Sequence, residues 1–120
     1  MNEAELPPGT ADPRLAEVET VVRAWGRPFG YRVRWSHGAI PLWGVDDVRP
    51  YLRVDLVDGR DDIVDVIPLD GGDLVVGMVN GSSGTCRGWE CGPDQLLDVL
   101  KEADEYSRSC QRFADFGGLY

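Results

Sequence analysis

The chain opens and closes in a helical rhythm and runs through its middle in a strand rhythm. Leu15, Val18, Val22 and Trp25 recur at steps of three, four and three. That is one apolar stripe of a three-to-four-turn helix. Asp12 is placed to cap its start, with Pro13 at the first helical position, and Gly26 and Pro28 end it. Tyr31, Val33 and Trp35 then alternate with Arg32 and Arg34, which predicts a strand with its aromatic face inward. Ser36-His37-Gly38 reads as a turn. Ile40 to Val45 is a short apolar run in which Pro41 marks an edge or irregular strand.

Alternation resumes at Leu52, Val54 and Leu56, opposite Arg53 and Asp55. Asp58-Gly59 is a hairpin signal, and Asp62 to Leu69 is the partner strand. Asp70-Gly71-Gly72-Asp73 is a second turn. Leu74 to Val79 is nearly continuous apolar, as a central strand should be. A Gly/Ser-rich loop over residues 80–92 carries Cys86, Trp89 and Cys91. Pro93 and Asp94 open the last helix, whose apolar face is Leu96, Val99, Leu100, Ala103, Tyr106, Cys110 and Phe113. Asp104 and Arg108, four apart, are expected to pair weakly on its outside.

The predicted order is helix, four or five strands, helix. Short turns make most strands sequential, antiparallel neighbours. The expectation is an α+β two-layer sandwich with the N-terminal and C-terminal helices on one face of the sheet. Residues 1–11, polar and holding Pro7, Pro8 and Gly9, form a flexible tail. Residues 12–120 form a single domain, and 120 residues with 42% apolar content suffice for a core without staples.

Charge adds an asymmetry. The formal net charge is −9. Residues 23–60 carry seven arginines against four aspartates, whereas residues 61–120 carry four cations against twelve acids. Direct nucleic-acid binding is disfavoured, because affinity there comes from neutralising phosphates. A partner protein with a basic surface suits the acidic half. No stretch approaches the roughly 18 apolar residues of a membrane span, and the N-terminus lacks a secretory pattern. Three cysteines, an odd number, fit reduced thiols, so a cytoplasmic setting is expected.

Candidate chemistry is sparse. Cys86, Cys91, Cys110 and His37 are the one conceivable zinc set, but Cys110 falls on the apolar face of the last helix, where a thiol acts as a small hydrophobe. The glycine-rich run from Gly77 to Thr85 lacks the Gly-Lys-Ser/Thr of a phosphate loop. His37 with Ser36 or a cysteine would need tertiary proximity to act as a catalytic pair. No cofactor signature is read.

The acid series Asp58, Asp61, Asp62, Asp65, Asp70 and Asp73 lies on a hairpin and the next turn. It is expected to be solvated and to form a contact surface for a basic partner. Trp89, flanked by Arg87 and Glu90, is the expected interface anchor. The helix–sheet–helix order with an acidic pI resembles small secretion-chaperone folds and the immunity proteins of bacterial toxin systems in layout and charge, with no motif behind the likeness.

These features point away from an enzyme. The first expectation is an acidic protein-binding module that neutralises or escorts a basic partner, as an inhibitor, immunity or anti-defence protein does. The second is a dimeric chaperone or structural subunit, pairing through the sheet or through Phe113, Phe116, Leu119 and Tyr120. The third is a small enzyme or zinc-stabilised domain built on the cysteines and His37.

Overall fold

The computed structural model describes residues 13–57, 61–81 and 84–115, with side chains over 15–57, 61–81 and 84–110. The expected tail, the Asp12 cap, Asp58, Phe113 and residues 116–120 therefore lie outside the described side chains. Helix α1 spans Pro13–Gly26 and helix α2 spans Leu96–Asp115. Between them lie β1 (Arg32–Ile40), β2 (Val45–Leu56), β3 (Asp62–Pro68), β4 (Leu74–Asn80) and β5 (Cys86–Cys91). The five strands pair in sequence order, each antiparallel to the last. Both helices cover one face, which is the α+β two-layer arrangement predicted from the pattern.

The main core lies between the helices and that face. Val18, Val22 and Trp25 of α1 and Leu96, Leu100 and Ala103 of α2 pack on Trp35, Leu52, Val54, Val64, Val66, Val76 and Met78. Each helix stripe is the one read from its spacing, and the strand residues have the parity that period-two alternation requires. Tyr31 ties the first loop to α2: its hydroxyl donates to Asp104 at 2.8 Å, and the Arg108 guanidinium bonds the other oxygen of that carboxylate. Asp104 is thus buried in a network, not paired on the outside as expected.

Three segments depart from their predicted form, the first being Ile40–Val45, expected as an edge or irregular strand, which is the reversal between β1 and β2. Ser36, His37 and Gly38 are not a turn. They stay extended because each faces a β2 partner, Tyr51, Pro50 and Arg49. The chain reverses later, through a single 3-10 turn at Pro41–Trp43 closed by Gly44 in the left-handed region at φ +77°. Cys86–Cys91 is a strand instead of part of a loop. Arg87, Trp89 and Cys91 alternate with Gly88 and Glu90, and β4 supplies a full row of partners.

The second face of the sheet holds a smaller core. Ile40, Val45, Tyr51, Ile67 and Val75 cluster there with Trp43 and Leu69. The register of β1 and β2 shifts between Gly38 and Ile40, where the long hairpin departs from regular pairing. Its tip lays the Trp43 indole over Gly77 and Gly88, which face each other across β4 and β5. A Cβ added at Gly77 would stand 2.1 Å from the ring. The indole Nε1 is buried with no hydrogen-bond partner, so ring-to-backbone packing holds the tip in place.

Candidate functional site

A cleft of about 270 Å³ opens at one end of the sheet. Five elements build it. The first turns of α1 contribute Leu15, Val18 and Val21. The end of β3 contributes Pro68 and Leu69, and the start of β4 contributes Leu74. Arg49 and Pro50 come from β2, and Pro93 and Leu96 come from the entry to α2. Pro68 ends β3 and Pro93 opens the approach to α2, where proline is tolerated, while Pro50 lies inside β2 but beyond its pairing with β3, which covers only Leu52–Leu56.

The floor is apolar and the mouth is acidic. Glu17 and Asp70 line the cleft, and Arg49 is the single cation among the described residues that line it. The Arg49 guanidinium is already occupied. It donates to Asp47 at 2.6 and 3.2 Å and to the Pro68 carbonyl at 3.1 Å, and it lies 3.4 Å from Asp70. The hydrogen bond from Arg49 holds the Asp47 carboxyl below its ordinary value near 3.8, and the pKa of Arg49 rises in turn. Cys91 sits at the same end, paired with Leu74. Burial pushes its thiol pKa up, and the nearby Asp73 and Asp94 push it further. Glu17 and Asp70 therefore line the cleft, Asp47 reaches it through Arg49, and Asp73 and Asp94 lie near enough to Cys91 at the same end to act on its thiol.

The acid series read from the sequence does not form one surface. Asp61 and Asp70 stand at opposite ends of β3, a seven-residue strand about 20 Å long. Asp62 is 2% exposed and Asp65 is 3% exposed, so neither is a contact residue. Asp62 points to the helix face, where Asn80 Nδ2 (2.9 Å), the Gly81 N–H (3.3 Å) and the Ser107 hydroxyl all donate to it. Asp65 points to the second face, where Arg53 grips both oxygens at 2.9 and 3.2 Å. Buried carboxylates need such partners, and these two find them within the fold. Of the series, Asp70 and Asp73 remain as exposed acids at the cleft end, and Asp61 is exposed at the other.

Trp89 is half-buried and not a free anchor. Its ring meets Tyr106 edge to face at 6.2 Å. The Arg87 guanidinium covers it at 4.7 Å and stands 3.7 Å from Glu102. Arg87 and Trp89 thus fasten the edge strand to α2, while Glu90 is exposed on the other face.

The four residues of the conceivable zinc set are far apart. His37 is exposed on edge strand β1, and the Cys86–Cys91 strand is the opposite edge, four strand spacings or roughly 19 Å away. Cys86 and Cys91 occupy opposite ends of β5, and Cys110 lies on α2. Among the described residues no three His, Cys, Asp or Glu side chains are grouped to hold a metal ion. Among them, too, no helix is long and apolar enough to cross a membrane.

Linear reading missed the cleft. Arg49, Leu69 and Glu17 come from three separate parts of the chain, and nothing in their linear order brings them together. No protein-family model, curated protein or solved structure matches this chain.

Proposed function

We propose that this chain is a non-enzymatic protein-binding module that neutralises or escorts a partner with a basic surface, in the cytoplasmic setting its thiols suggest. The observation that carries the reading is the set of exposed carboxylates at this end of the sheet: Glu17 and Asp70 line the cleft, Asp47 binds its Arg49, and Asp73 and Asp94 flank Cys91. Carboxylates gathered over an apolar floor raise the local concentration of a cationic partner and speed its docking, and salt weakens that steering. Asp70 and Asp73 carry the contact that the sequence assigned to the longer acid series. Asp62 and Asp65 have no part in it, because both are engaged inside the fold.

The test is affinity capture from source-cell lysate at low and moderate salt, run in parallel with wild-type bait and an Asp70→Arg/Asp73→Arg bait. The reading expects one stoichiometric basic protein on the wild type, lost both with salt and with the double reversal. A partner retained equally by both baits would place the contact elsewhere. A folded bait that retains no basic protein would remove the reading.

A further inference from the structure

We infer that the cleft seats one apolar side chain of the basic partner, presented between cationic residues that meet the acidic rim. This rests on the reading of the chain as a module for basic partners and names what that partner must carry. Three features of the cleft lead to it. The volume of about 270 Å³ lies below the roughly 300–1,000 Å³ of pockets that enclose a drug-sized ligand, and suits one or two side chains. The floor offers Val18, Leu69, Leu74 and Leu96, and the one cation among the described lining residues, Arg49, is taken by Asp47, Asp70 and the Pro68 carbonyl. An anionic group entering it would lose its water and find that cation already engaged. The rim is acidic, so the flanks of the entering segment must be basic.

Other occupants meet the same charge with the wrong sign. The chain's own residues 1–12 hold Glu3, Glu5 and Asp12 and no cation. A second copy docking mouth to mouth about a two-fold axis would set each carboxylate rim against its equal. A segment with one large apolar residue between arginines or lysines satisfies both floor and rim, and a buried anchor inside a polar rim is the usual anatomy of an interface centre.

The test titrates the full ¹⁵N-labelled chain with two synthetic pentapeptides, one with leucine and one with glycine between paired arginines, followed by amide chemical shifts. The expected result is a shift at Val18, Val21, Leu69 and Leu74 with the leucine peptide alone. That peptide should bind roughly tenfold or more tightly than the glycine peptide. Val21→Trp, which fills the cleft from α1, should abolish the difference and keep the shifts at Asp70 and Asp73. Equal affinity of the two peptides on the wild-type chain, with rim shifts only, would overturn the seat and leave the basic-partner reading standing. Absence of rim shifts with either peptide would overturn both. The comparison on the wild-type chain requires no variant to fold.

Discussion

Replacing Gly77 by alanine should test how the β1–β2 hairpin is held. The added Cβ would lie 2.1 Å from one indole carbon of Trp43 and 2.5 Å from two others, so ring and methyl cannot share the site. Strand β4 is central and buried, so the indole is the group that moves. A tryptophan buries about 150–250 Å², worth roughly 4–6 kcal/mol at about 25 cal/mol per Å² if fully covered. Trp43 is partly exposed and a displaced ring keeps some of its contacts, so the move costs about 2–3 kcal/mol. Against this, alanine in place of glycine within a strand gains about 0.5–1 kcal/mol. The net expectation is a loss of about 2 kcal/mol. In a Trp43→Ala background only the gain survives, and Gly77→Ala should then stabilise by about 0.5–1 kcal/mol. Urea unfolding of the four chains followed by far-ultraviolet circular dichroism, with slopes compared, measures the cycle. A Gly77→Ala cost equal in both backgrounds would refute the packing argument.

Three further outcomes follow from the same geometry. Asp62→Ala removes the buried carboxylate that accepts from the Asn80 amide, the Ser107 hydroxyl and, beside its shorter bond to the Asp61 carbonyl, the Gly81 N–H. It should destabilise by about 3 kcal/mol or more in the same urea assay, with Ser107→Ala alone costing about 1 kcal/mol. The Asp47 carboxyl, depressed by Arg49, should titrate below its ordinary value near 3.8 by carbon-detected NMR and return to it in Arg49→Met. Because its folded pKa is lowered, the stability it contributes is present above the unfolded value and is lost as pH falls through the folded one. Cys86 is exposed and Cys91 buried, with the Cys91 pKa raised by that burial, so under native conditions a maleimide should label Cys86 well before Cys91. Equal labelling rates would show that β5 is not held to β4.

Periodicity carried the helices and the two-layer plan, because each stripe faces one core and nothing competes with it. The ends of β1 and β2 were hidden for a physical reason. Ser36, His37 and Gly38 have turn chemistry locally, but cross-strand partners keep them extended. β5 was hidden because CRGWEC is short and has no aliphatic alternation, and its strand character comes from pairing with β4.

The two misplaced aspartates were more legible than they looked. Asp62 shares parity with Val64 and Val66, and Asp65 with Ile63 and Ile67, so a strand apolar on both sides already places them on covered faces. Aspartate is usually solvated, and that default outweighed the parity. The cleft could not be read from the linear order at all. It is made by α1, β2, β3, β4 and α2 meeting at one end, and its lining unites Glu17 of α1 with Asp70 of the β3–β4 turn.

The central claim is that the position of the acids at the cleft, and not net charge alone, recruits a basic partner. The most direct measurement is the association rate of the captured partner with two charge-matched variants. One is Asp70→Arg/Asp73→Arg at the cleft, and the other is Asp61→Arg/Glu105→Arg toward the far end of β3 and α2. Association should slow about tenfold or more with the first pair and only slightly with the second, and the difference should shrink as salt rises. Equal slowing by both pairs would contradict it.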